Sequence, residues 1–254
     1  MLIRVSPQQK MKLLLFDIDG TLIRSNRAGR LAMQAALEEL YGTAGPLDTY
    51  SMGGKTDARI ITDLLTVVGI PPAKIEAQLP LVYDCMAGKA AEIYPNKEIM
   101  MCAGVPELLA ALHLRQDVML GLLTGNARPT ASLKLMAADI NFKQFRVGAY
   151  GSEALDRNVL PAIAMQRANV LVSTSSNRAL ANSVLAGERF TGDNTVIIGD
   201  TPADILCARA GKAAAVAVAT GWHAAQTLAK YSPDFLFENL ADTKSVLSAL
   251  LGDV

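Results

Sequence analysis

The sequence predicts an α/β protein: an open, doubly wound, mainly parallel sheet that carries a small helical domain. Three observations lead there. Short, wholly apolar runs recur along the chain, and each ends in small or polar residues. Amphipathic or alanine-rich helical stretches lie between them. One long helical stretch interrupts this rhythm directly after the first run. Strand and helix alternating in this way place helices on both sides of a parallel sheet.

The first run, Lys12-Leu13-Leu14-Leu15-Phe16-Asp17, reads as a strand buried on both faces. Helices are expected next over Ala28–Leu40, Asp57–Val68 and Pro72–Ala91, punctuated by Gly42, Gly69 and Pro71-Pro72. No buried strand is read inside this stretch. Residues 25–97 are therefore expected to form a cap domain over the carboxyl edge of the sheet, leaving 11–24 and 98–254 as the core. Helices packed flat on the core are the alternative. Further on come a helix over Val105–Arg115, a strand over Val118–Leu123 running into Thr124-Gly125-Asn126, and a helix over Pro129–Ala138. Another helix starts near Pro161. Thr195–Ile198 then runs into Gly199-Asp200, a helix covers Pro202–Ala210, and Ala213–Ala219 runs into Thr220-Gly221. Ser173–Asn194 is polar and contains glycines; it is read as an elongated helix and loop with no assigned role. In such Rossmann-like sheets ligands bind beyond the carboxyl ends of the strands, where the notable polar residues of this chain lie.

Composition narrows the function. Of 254 residues, 51% are hydrophobic and 19% charged, which suits a compact globular protein. Lys plus Arg number 24 and Asp plus Glu number 24, so no net charge favours nucleic acid or an anionic membrane as partner. Met1–Lys12 lacks the apolar stretch of a signal peptide, and no run of ~18 apolar residues occurs. A cytoplasmic monomer or homodimer is expected. Cys85, Cys102 and Cys207 form no CxxC pair and read as small core residues. His113 and His223 are too scattered for a histidine metal site.

The chemistry gathers at strand ends. Asp17 and Asp19 stand two apart in Phe16-Asp17-Ile18-Asp19-Gly20-Thr21-Leu22; if strand geometry persists, both carboxylates face one small volume. Two anions that close need a cation or a shared proton. Gly20 permits a sharp turn away. A second pair, Asp200 and Asp204, follows another strand end in Gly199-Asp200-Thr201-Pro202-Ala203-Asp204. A helix cap explains one such aspartate but not several at one sheet edge, and hard oxygen ligands suit magnesium. Thr124-Gly125-Asn126 offers a hydroxyl and backbone N–H groups to phosphate oxygens, or is simply a strand-to-helix turn. Arg157, alone, would be a surface charge. Together these residues supply what phosphoryl transfer needs.

In this order, Phe-Asp-Ile-Asp-Gly-Thr-Leu at 16–22, Thr124, Arg157 and Gly-Asp-Thr-Pro-Ala-Asp at 199–204, the chain resembles the haloacid dehalogenase superfamily, and phosphoglycolate-phosphatase-like members in particular. The resemblance implies a phosphatase acting on a small phosphorylated metabolite. Asp17 would be nucleophile and Mg2+ ligand, and Asp19 the acid and base, its carbonyl also binding the metal. Asp200 would be a further ligand, supported by Asp204. Thr124, Gly125 and Asn126 would hold phosphate. Arg157 stands where the family usually has lysine; Lys134 or Lys143 could supply that charge instead. Asp19 argues against dehalogenases and phosphonatases, and Thr21 against a hexose-phosphate mutase, which remains an alternative, as does a non-catalytic phospho-ligand module. Gly54 and Lys55, in Gly53-Gly54-Lys55-Thr56-Asp57, are either a plain helix start or a cap loop that recognises the leaving group.

Overall fold

The computed structural model describes residues 11–174 and 189–252. Six parallel strands form the main sheet: β1 (Lys12–Phe16), β4 (Val118–Thr124), β5 (Val147–Tyr150), β6 (Thr195–Gly199), β7 (Ala214–Val218) and β8 (Phe235–Phe237), in the order β5-β4-β1-β6-β7-β8. β1 is central, with Phe16 in register with Leu122 of β4 and Ile198 of β6. From β1 the chain first builds outward through β4 and β5, then returns to build β6, β7 and β8 on the other side. The crevice between β1 and β6 is thus the topological switch point, where ligands bind in such sheets.

Alternation along the strands explains the two-sided core. Leu14, Phe16, Leu120, Leu122, Val196 and Ile198 join one apolar layer, with residues of α4 (Val105–His113), α5 (Arg128–Ala137) and α9 (Thr243–Leu251). Leu13, Leu15, Met119, Leu123 and Ile197 point the other way, to α6 (Leu160–Thr174), α7 (Pro202–Ala210) and α8 (Ala225–Ala229). Successive side chains face opposite sides of a strand, so a run apolar at every position must be covered on both.

The helical stretch holds α1 (Ala28–Tyr41), α2 (Asp57–Val67) and α3 (Pro72–Ile93). These helices share an apolar cluster of their own, including Met33, Leu37, Ile61, Leu64, Val82 and Met86, which Ala127 of the sheet edge also joins. The two ends of the stretch are pinned together by a short antiparallel pair, β2 (Ile23–Arg24) with β3 (Met100–Met101). Sequence reasoning did not anticipate β2, β3, β5 or β8. Each is two to four residues long, too short for a periodic signal. The expected loop within 173–194 lies largely outside the described residues. Cys102 and Cys207 are buried and all three cysteines are free. Among the described residues no helix is long and apolar enough to cross a membrane.

Candidate active site

β1 stops at Phe16, and the chain turns rather than extending. The carbonyl of Ile18 accepts from the N–H groups of Thr21, Leu22 and Ile23, and Gly20 sits at φ +85°. A Cβ there would lie 2.2 Å from Asp200 Oδ2, so glycine both permits the turn and leaves room for that carboxylate. A turn thus replaces the strand geometry expected here, yet Asp17 and Asp19 still line one cleft, close enough for the Asp19 charge to act on Asp17. The acids that converge are Asp17, Asp200 and Asp204, whose nearest oxygens all lie within 4.8 Å of one another. The Asp19 carboxylate turns instead toward Lys134 Nζ at 2.6 Å, Asn126 Nδ2 at 2.8 Å and Ser25 Oγ at 2.5 Å.

The three converging acids differ in their partners. Asp204 is fully engaged: Oδ2 accepts from Thr201 Oγ1 at 2.6 Å and Thr201 N–H at 3.0 Å, and Oδ1 from Arg157 Nη2 at 2.5 Å. Among the described residues, Asp200 accepts from Thr21 Oγ1 alone, at 3.2 Å. Asp17 meets Arg157 Nη2 at 3.3 Å. Burial pushes the Asp17 carboxyl up to about 6, with Arg157 opposing and Asp204 adding to the rise. Burial, then the Asp204 and Asp17 charges, pushes Asp200 well above the usual carboxylate range. Two buried carboxylates this close, with only the Arg157 guanidinium beside Asp17, form a hard-donor pair that fits a divalent cation such as magnesium.

Arg157 and Lys134, the two cations beside the aspartates, are both buried. Arg157, expected to look like a surface charge, is 7% exposed; burial disfavours its charged form, but Asp204 and Asp17 more than offset this and raise its pKa. Lys134 projects from α5 and also donates to Asn126 Oδ1 at 2.6 Å. Burial disfavours its charge too, but Asp19, together with Tyr94 and Asp57, leaves its pKa raised. Burial alone would raise Asp19, yet the Lys134 charge beside it holds that carboxyl below its ordinary value. The sequence left Arg157 and Lys134 as alternatives, but the fold uses both, each beside a different aspartate. Lys143 lies exposed on a turn outside the cleft.

Thr124 ends β4, and its hydroxyl oxygen accepts from Asn126 Nδ2 at 2.8 Å and Asn126 N–H at 3.3 Å. Its own proton is left to donate. Gly125 packs against the loop before α2 so tightly that a Cβ would lie 2.1 Å from the Lys55 carbonyl oxygen. The Gly54 carbonyl accepts from Arg157 Nη1 at 3.4 Å, and the Lys55 ammonium rests 3.9 Å from the Tyr50 ring centroid. Gly54, Lys55, Gly125, Asn126 and Arg157 line a cleft of about 880 Å³, together with Asp17, Asp19, Asp200, Arg27 and Trp222, while Thr124 itself is fully buried. Ser25, Asp57 and Trp222 were missed by sequence reasoning. Ser25 and Asp57 carry no motif of their own, and Trp222, 91% exposed at the cleft, is a lone aromatic.

Comparison with known proteins gives the family. The haloacid dehalogenase-like hydrolase profile matches residues 14–152, and a related HAD-hydrolase-like profile matches 170–243. Comparison with curated proteins gives no match. Among solved structures, a hydrolase from Pseudomonas syringae is 19% identical over 93% of this chain and 97% of its own, with a TM-score of 0.62. CbbY from Rhodobacter sphaeroides, in complex with phosphate, is 16% identical over 91% and 96%, with a TM-score of 0.63. A predicted phosphoglycolate phosphatase from Haemophilus somnus 129pt is 19% identical over 95% and 100%, with a TM-score of 0.60. At these identities the structures establish the shared fold, and the profile match spans more than half of the chain. With the acidic switch-point crevice already in place, the conclusion is that this chain belongs to the haloacid dehalogenase-like hydrolase family.

Proposed function

We propose that the protein is a magnesium-dependent phosphatase that hydrolyses a small phosphorylated metabolite through an aspartyl-phosphate on Asp17. The observation that carries this reading is the buried Asp17 carboxylate, paired with Arg157 and within 4.8 Å of Asp200, in the lining of the cleft. Asp17, Asp200 and the backbone carbonyl of Asp19 would hold Mg2+, which when bound neutralises charge on the acids and on the phosphoryl group.

Each remaining step belongs to the chain's own groups. Thr124 Oγ1–H and the Gly125 N–H hold phosphoryl oxygens, and Arg157 balances charge beside the nucleophile. A carboxylate oxygen of Asp17 bonds to phosphorus as the ester oxygen leaves, taking a proton from Asp19. Asp19 then takes a proton from water as that water attacks phosphorus, and the Asp17–phosphorus link breaks to release phosphate. Asn126, whose carboxamide is committed to Asp19, Thr124 and Lys134, orients these groups rather than gripping phosphate. Asp204 holds Arg157 and the start of α7 in place.

Residues 25–97 are proposed as the cap, with Gly54 and Lys55 as the loop that meets the leaving group. The cleft accommodates a metabolite-sized ligand. We read the protein as cytoplasmic, with neither nucleic acid nor membrane as partner, in keeping with its balanced charge. The test is a phosphometabolite panel read for free phosphate and for isomerised product, with Mg2+ and with EDTA. Phosphate release that EDTA abolishes and Mg2+ restores is expected. No release across the panel, or isomerised product alone, would overturn the reading.

A further inference from the structure

Asp57 is the first residue of α2 and is 7% exposed. The helix does not need its carboxylate as a cap, because Thr56 Oγ1 already accepts from the Arg59 N–H at 3.2 Å. No cation among the described residues pairs with it either; Lys134, whose charge acts on it, is bonded to Asp19 and Asn126. A buried carboxylate without a cation lowers stability. Burial accordingly pushes its carboxyl up to about 6. Local helix stability does not account for this residue.

What Asp57 holds is the turn after β4. Its N–H donates to the Gly125 carbonyl at 2.7 Å, and its Oδ2 accepts from the Ala127 N–H at 2.7 Å. The two bonds bracket Asn126. A peptide unit is planar, so anchoring the Gly125 carbonyl also aims the Asn126 N–H in the same unit. That N–H donates to Thr124 Oγ1 at 3.3 Å, which holds the hydroxyl oxygen as an acceptor at the end of β4. The neighbouring loop residues reinforce the contact. Ala58 N–H donates to the Gly151 carbonyl at 3.0 Å, and Thr56 Oγ1 to the Leu155 carbonyl at 3.1 Å.

We propose that Asp57 is a positioning residue that fixes the Thr124–Ala127 turn from the helical side, so that the turn holds phosphate while residues 54–58 sit on the sheet edge. The inference rests on the phosphatase reading for what the turn grips, and on hydrogen bonds alone for how it is held.

The test compares Asp57→Ala with Asp57→Asn, measuring turnover of p-nitrophenyl phosphate, inhibition by inorganic phosphate, and hydrogen exchange at the Ala127 amide. The asparagine variant keeps an oxygen that accepts from Ala127, and should stay within about threefold of wild type. The alanine variant should lose about 10- to 100-fold in kcat, the scale of a small misplacement of a gripping group, and weaken phosphate inhibition about tenfold. Its Ala127 amide should exchange faster. Should Asp57→Ala not fold, Ala127→Pro removes the same donor at φ −62°, close to the proline value, and should reproduce the loss. Wild-type turnover, phosphate inhibition and exchange in the alanine or proline variant would overturn the proposal. So would an asparagine variant as impaired as the alanine one. A wild type that releases no phosphate from any ester would sink the phosphatase reading separately, and the exchange comparison would still decide on Asp57.

Discussion

Three aspartates within one small volume meet three different surroundings, and those surroundings set what each one does. Asp204 has both oxygens satisfied by protein donors, so it can organise Arg157 but has little left for a metal. Asp200 and Asp17 are the ones left short of partners, and they flank the switch-point crevice. Asp19, in the same motif as Asp17, faces Lys134 instead. Its side chain is thereby held beside Lys134 and turned from the group of three. Sequence spacing alone could not separate these parts, because it places carboxylates but not their donors. Lys55 belongs to this scale as well. Its ammonium lies over Tyr50 at the cleft, with no carboxylate bonded to it among the described residues. Lys55→Ala should raise KM for a phosphoester bearing a second anionic group about tenfold, a loss of ~1.4 kcal/mol, and leave KM for p-nitrophenyl phosphate nearly unchanged. Equal effects on the two substrates would remove Lys55 from substrate recognition.

At the scale of elements, the site depends on β1 staying rigid between β4 and β6. Leu13, Leu14, Leu15 and Phe16 are all fully buried, alternately in the two apolar layers. Leu14→Ala should therefore cost about 2–5 kcal/mol in urea unfolding, the range for a core leucine whose cavity cannot collapse. A cost under ~1 kcal/mol would mean that the strand is not packed as described. Strands like β1, β4, β6 and β7 were legible because each carries a run dominated by apolar residues. The edge strand β8 and the pair β2–β3 were not, since two or three residues carry no period. The helices of residues 25–97 were read to within two residues at either end, helped by the capping Thr56 and by Pro71-Pro72. Arg157 and Lys134 were harder. A lone arginine before a helix and a lone lysine on a helix face look solvated in sequence, and only tertiary packing buries them.

Across the whole molecule, the pieces of the site come from distant parts of the chain and meet because the sheet is wound as it is. Asp17 follows β1, Thr124 ends β4, Arg157 precedes α6 and Asp200 follows β6. The helical stretch enters and leaves at the β2–β3 pair, and its loop at 54–58 returns to the same carboxyl edge. Cleft and sheet edge thus form one continuous site, with the Asp17 side chain on its floor. The central claim is that this side chain is the atom donor that bonds to phosphorus. The direct measurement is phosphate release by Asp17→Asn beside wild type, with Mg2+ and the best ester from the panel. The account predicts a fall of at least about 10³-fold in kcat with the fold retained by circular dichroism. Turnover by Asp17→Asn within about tenfold of wild type would contradict it.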